Sequence, residues 1–330
     1  MSSLTAAFHR VLLPSTLLVT GALLQAPAPA IADDNTFDRT LTVSGPVRLE
    51  LSNGSGNVEI RGASEGKVHI FGKVTAGWSL FGNGEKNVQD VAANPPIEQH
   101  DTVIRIGKNS SWIKNISIEY TIEVPHDTEI DAGVASGGIT IDNVRGPAKA
   151  SSASGYLHVY RVERDTQVSA ASGSIDVSGI GGILRVSSAS GDVVLSDVKG
   201  DLKASAASGS IRVSKPGDRV DLSSASGSID VSGATNDVKV HAISGSIAVT
   251  GDPSASRLWE LKTVSGSVDI HVPTNSSFLL TAEATSGEIR TSIPVILEEQ
   301  GKHSLRAHIG SSSGRIEVHT VSGGISLRGS

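Results

Sequence analysis

The sequence predicts an all-β fold: a single-stranded, right-handed parallel β-solenoid with two short strands in each 18-residue coil. Three observations predict it. Serine–glycine pairs end at Gly137, Gly155, Gly173, Gly191, Gly209, Gly227 and Gly245, each 18 residues after the last, and a fixed internal period marks a stack of repeated units. Aliphatic residues stand two and four positions after every one of these glycines, from Ile139 and Ile141 to Ile247 and Val249. The residue between them varies freely, from Asp176 to Val194 to Arg212. That is the period-2 signature of a strand with one buried face. A second alternation follows eleven and thirteen positions after the glycine, as in Leu184 and Val186, and at the fifteenth only Ser or Ala occurs, from Ser152 to Ala242. The inward side chains therefore shrink toward the corner.

Residues 1–32 read as a secretory leader. His9 and Arg10 give a weakly basic start, residues 11–24 are apolar apart from a break at Pro14, and Ala30-Ile31-Ala32 places small residues where signal peptidase requires them. Cleavage is expected between Ala32 and Asp33. The apolar stretch is too short to span a bilayer comfortably, and no later stretch approaches that length, so the mature chain is expected to lack a transmembrane segment. Residues 33–131 are expected to form irregular N-terminal strands and a cap. Within them, 54–60 reads as an early divergent unit, and 67–74, 102–106 and 115–124 alternate like strands, the last stopping at Pro125. Residues 76–99, rich in Gly and Asn and containing Pro95-Pro96, read as a surface insertion.

Regular coils are expected over 132–251. Longer divergent repeats and a C-terminal cap follow over 252–330, with serine–glycine pairs ending at Gly266, Gly287, Gly314 and Gly323 and the final residues blunting the sheet edge. Each corner glycine is expected to need positive φ or close backbone approach. The serine before it is expected to cap the turn or bond to its copy in the next coil. A buried Val or Ile contributes about 1.5–3 kcal/mol, against a backbone ordering cost of about 1–2 kcal/mol per residue. One coil cannot offset that cost alone, so neighbours must stack.

Other folds share parts of this pattern. A left-handed hexapeptide helix has 18-residue coils but requires an aliphatic every six residues, and the eighth position after the glycine holds Arg145, Glu163, Gly181 and Lys199. A calcium β-roll needs acids aligned in adjacent units, whereas Asp176 and Asp230 stand three units apart. An antiparallel sandwich remains open as the alternative.

Hydrophobic residues make up 38% of the 330 and aromatics 3%, too few bulky side chains for a conventional core but enough for many thin layers. The aromatics lie outside the regular coils for the most part. Phe71, Trp78, Phe81, Trp112 and Tyr120 precede them and Trp259 and Phe278 follow, as expected of residues that plug the ends of a stack. Trp78 and Phe81, in Gly-rich surroundings, are the candidate partner contacts. The chain has no cysteine, which excludes disulfides, thiolate metal sites, a cysteine nucleophile and a lipid-modified cysteine. Its formal charge of −6 becomes one unit more negative when the leader takes Arg10 with it, and an acidic chain without a basic stripe is a poor nucleic-acid binder.

Residues 120–146 read YTIEVPHDTEIDAGVASGGITIDNVRG. A strand closing at Val124-Pro125, a polar turn and then Ser136-Gly137-Gly138-Ile139-Thr140-Ile141 resemble the bacterial putative-adhesin β-strand-repeat family, a domain-of-unknown-function family of exported proteins. The resemblance runs from about residue 40 to the C-terminus. It implies an exported β-solenoid with an adhesin-like role and supplies no catalytic residues.

The residues themselves point away from catalysis. His158 and His241 fall in different columns of different coils, and His271, His303 and His308 are scattered, whereas a metal site needs converging ligands. No serine sits in Gly-x-Ser-x-Gly between a strand and a helix. Asp176 and Asp230 share an outward column three layers apart, about 14 Å by the layer spacing, beyond the roughly 5–9.5 Å of a glycosidase pair. No catalytic, cofactor or metal residue is therefore expected. The expected function is an exported non-enzymatic surface or envelope binding protein, periplasmic or secreted to the cell surface, whose partner is a protein or glycan of the cell envelope. The alternatives are an envelope spacer without a discrete ligand and a polysaccharide-active β-helix enzyme. Expressed with its own leader, the chain should yield a mature form beginning at Asp33; N-terminal sequencing of the exported protein checks this, and an intact leader in that fraction would refute it.

Overall fold

A computed structural model describes residues 35–76, 84–107, 116–255, 257–311 and 314–329. Ala32, Asp33, Trp78, Phe81 and Trp112 lie outside the described residues. Two long sheets face one another, and each is a parallel ladder through its middle. Successive 18-mers pair in register and in the same direction: Leu157, Val159 and Val162 align with Ile175, Val177 and Ile180 in one sheet, and Thr166 and Val168 align with Leu184 and Val186 in the other. The β-solenoid expectation is met, and the antiparallel sandwich is not what forms. Ile175, Ile211 and Ile229 are wholly buried, within one continuous core.

The corner explains the fixed glycine. From one end of the stack to the other the corners run Gly56, Gly137, Gly155, Gly173, Gly191, Gly209, Gly227, Gly245, Gly266, Gly323 and Gly287. All have φ between +108° and +156°, where side chains are strained. A Cβ on any corner after Gly56 would lie 1.9–2.4 Å from the carbonyl oxygen of the corner beneath it. Both expected reasons for glycine therefore apply. The serine before each corner acts through its backbone, since Gly173 N–H donates to Ser190 O at 3.0 Å and Gly191 N–H to Ser208 O at 3.1 Å. Its side chain is exposed.

A column that sequence reasoning missed completes the core. Val144, Val162, Ile180, Val198 and Ala234, seven residues after their corner glycines, are buried. The residue before each is left-handed: Asn143, Arg161, Gly179, Asp197 and Gly233, with φ between +51° and +75°. That reversal places two consecutive residues outward, and the seventh then turns back in. Lys215 takes the same conformation at φ +48°.

The ends depart from the repeat. Residues 76–99 are not a surface insertion throughout. Gly84–Ala93 is a helix that buries Val88, Val91 and Ala92 against strands Thr36–Thr42 and Lys67–Ala76, because those apolar positions recur at helical spacing. The N-terminal edge is closed by antiparallel strands in both sheets. At the other end the chain threads back on itself. Strands Gly314–Ser322 and Ile325–Gly329 enter between the coil at 258–272 and the coil at 278–291. The C-terminal residues thus form an interior layer, and Ile289–Thr291 and Ile296–Gln300 form the edges. Gly314 is no corner; it is buried at a strand start, where a Cβ would meet Pro253 O at 2.1 Å. Trp259 and Phe278 are fully buried, and Phe37 meets Tyr120 edge-on at 6.0 Å beneath the N-terminal cap.

Gly191→Ala should cost about 3 kcal/mol, from backbone strain plus the clash with Gly173, while Ser190→Ala, one residue away and exposed, should stay within about 0.5 kcal/mol; denaturant unfolding of the pair checks this. Lys215→Gly should stabilise by roughly 0.5–1 kcal/mol, because relief of a left-handed conformation (about 1–2 kcal/mol) exceeds the added chain entropy of glycine (about 0.5–1 kcal/mol). The exposed Lys215–Asp197 ion pair at 3.2 Å offers little to lose. A lower melting temperature for this variant would contradict the strain argument.

Candidate binding surface

The second strand of each coil places two residues outward just before the corner, four and two positions ahead of the glycine. Through six coils the nearer column is alanine: Ala135, Ala153, Ala171, Ala189, Ala207 and Ala225. The farther column is Gly133 and then Ser151, Ser169, Ser187, Ser205 and Ser223. Small side chains leave a trough where larger ones would stand proud. The result is one groove of about 1900 Å³ that runs along the stack, from Ser52 and Gly54 to Glu283 and Thr285. It crosses eleven coils, about 50 Å at the usual strand spacing. Ile116, Ile118, Tyr120 and Pro96 bound it at the N-terminal end.

The groove changes character at the C-terminal coils. The alanine column becomes Ile243, Val264 and Val321, which occupy three adjacent layers and are 58%, 50% and 49% exposed. The serine column becomes His241, Lys262, His319 and Glu283. His319 Nδ1 lies 3.2 Å from Glu283 Oε2. Lys262 donates to Glu260, and that hydrogen bond, helped by the charges of Lys262 and Lys239, holds the Glu260 carboxyl below its ordinary range. An apolar ridge with charges fixed along one flank results. It can bind by burial and by directed polar contacts.

The corner glycines form a line immediately beside this groove. Trp78 and Phe81 lie outside the described residues. Of the histidines among the described residues, only His241 and His319 share the groove; His308 pairs with Glu298 at 2.6 Å, and His303 meets Gly287 O at 3.3 Å. Asp176 and Asp230 are separated by three ladder steps. Among the described residues no group of three or more His, Asp or Glu side chains could hold a metal ion, and no helix is long and apolar enough to cross a membrane. Sequence reasoning missed the groove, although its signal was present. The signal is the unvarying outer Ser and Ala columns, and the switch at His241 and Ile243 marks where the surface acquires chemistry.

The sequence profile of the Toastrack DUF4097 family matches residues 38–250 and, a second time, 184–328. No curated protein matches the chain. Two crystal structures are similar. One, of a "putative cell adhesion protein" from Clostridium sporogenes, is 13% identical, covers 89% of this chain and 100% of its own, and has a TM-score of 0.22. The other, of a "putative adhesin" from Bacteroides fragilis, is 14% identical, covers 89% and 97%, and has a TM-score of 0.31.

Proposed function

We propose, from the premise that the chain belongs to the Toastrack DUF4097 family, that this protein is an exported, non-catalytic, adhesin-like binding protein of the cell envelope. In this reading the leader delivers it to the periplasm or the cell surface. The solenoid then presents its groove to an extended segment of an envelope protein. The observation that carries the reading is the ridge of Ile243, Val264 and Val321. Six preceding coils keep this column at alanine, and nothing in the core requires a larger residue on the outer face. Contiguous exposed aliphatic side chains mark a surface that is covered in use. The neighbouring His241, Lys262 and Glu283 give polar contacts that set register, as charged flanks do at interfaces. Length favours an extended partner, because a groove that runs through eleven coils matches a chain lying along the stack axis.

Replacing Ile243, Val264 and Val321 together by alanine restores the small column of the preceding coils and should leave the melting temperature unchanged. It should weaken binding to isolated cell envelopes by about tenfold or more, equivalent to about 1.4 kcal/mol, in a co-sedimentation assay. Equal binding by the triple variant would refute the groove as the contact and favour the spacer. Reducing-end release from an envelope polysaccharide by the purified chain, abolished by changing one carboxylate, would establish the enzyme instead.

A further inference from the structure

One coil breaks the outward pattern of the opposite sheet. At one and five positions after the corner glycine, the coils from 173 to 232 carry Ser174 and Ser178, Asp192 and Ser196, Ser210 and Ser214, and Ser228 and Ser232. The coil after Gly155 carries Tyr156 and Tyr160, with His158 between them. These are two of the three tyrosines in the chain. All three rings stand on the outer face of strand Leu157–Val162 and its lead-in. Tyr156 and His158 have centroids 4.7 Å apart with planes at 33°, and His158 and Tyr160 are 5.9 Å apart at 39°. Tyr156 and His158 are close enough to overlap and Tyr160 tilts beside them, so the rings form a stepped shelf; the strand beneath it spans about 13 Å.

The neighbouring coils accommodate the shelf. The residue beside Tyr156 is Gly138, where a Cβ would lie 2.1–2.4 Å from three atoms at the phenol end of the ring. Near-equal distances to Cζ, Cε1 and Cε2 mean that the phenol end of the ring lies flat over this glycine; Tyr156 is 37% exposed. On the far side Tyr160 donates its hydroxyl to Asp176 Oδ2 at 3.2 Å. Desolvation and the charge of Asp176 raise the Tyr160 pKa, so the donor stays protonated. Asp142 flanks the other side and is held by Arg161 at 2.5 Å. The shelf therefore offers an aromatic face between two carboxylates.

We propose that Tyr156, His158 and Tyr160 form a carbohydrate-binding platform for a neutral oligosaccharide of equatorially linked pyranose units. The flat C–H face of such a sugar stacks on an exposed aromatic ring, and its hydroxyls donate to Asp176. The two carboxylates disfavour an anionic polymer, and the nearby arginines are paired: Arg161 is committed to Asp142, and Arg212, three coils away, pairs with Asp192 at 3.5 Å. This site is separate from the groove, which lies on the other sheet.

The test is calorimetric titration of the full chain with cellotriose and with triacetylchitotriose, and with an oligogalacturonate as the anionic control. At least one neutral probe should bind, and the anionic one should not. Tyr156→Ser and Tyr160→Ser substitute the residue that adjacent coils already carry, so the fold should survive; unchanged melting curves check this. Each should weaken binding by about tenfold, while Tyr156→Phe, which keeps the ring face, should stay within about threefold. The groove variant at Ile243, Val264 and Val321 should bind sugar as the parent does, so failure of either proposal is distinguishable from failure of the other. Absence of binding to both neutral probes, preference for the galacturonate, or undiminished binding by the two serine variants would overturn the platform.

Discussion

Everything in this molecule depends on the contact between one corner glycine and the next. Each corner N–H reaches the serine carbonyl of the following coil, and each corner Cα sits where a side chain would strike the carbonyl beneath it. Eleven glycines at positive φ therefore set how closely coils approach. Once that distance is set, the aliphatic columns meet at strand spacing and exclude water. The two effects support each other: burial holds the backbones together, and the glycines let them come together.

The same constraint shapes the surface. The corner tolerates little bulk nearby, so from Gly155 onward the inward residue before it is Ser, Thr or Ala, while Asn53 and Val134 hold that place before the first two corners. Ser152 hydroxyl donates to Gly137 O at 3.1 Å, and Thr263 to Gly245 O at 3.1 Å. On the outer face the neighbouring columns remain small through most of the stack, and the groove is the consequence. A regular solenoid would otherwise present an unvarying exterior. Departures from the repeat on the outside, at Tyr156 and Tyr160 on one sheet and at Ile243, Val264 and Val321 on the other, have no counterpart in the core.

A stack of parallel coils would also leave two open edges able to recruit further strands. Antiparallel strands and the helix Gly84–Ala93 close one end; at the other, antiparallel strands close one sheet and the three-residue strand Ile289–Thr291 ends the second. There the last coil in the chain is not the last in space. Gly323 sits between Gly266 and Gly287, so the C-terminal residues are hydrogen-bonded on both sides and do not fray as an outer layer would.

The sequence alone determined the period, the inward columns, the corner glycines and the parallel pairing, because each rests on a local rule repeated at a fixed interval. The left-handed turn before Val144 and Val162 was also present, in the Asn, Asp and Gly residues at 143, 197, 179 and 233, but Arg161 and Lys215 hid it. Local rules do not say which coil lies next to which. The steps from Gly245 to Gly266 to Gly287 are equal in sequence, yet a segment 36 residues beyond Gly287 enters between the last two. Nor could an alternation of small outer residues announce a groove, since concavity is a property of many layers together. Those features were decided only in the tertiary structure, where hydrogen bonding of free edges and burial across non-neighbouring segments outweigh chain order.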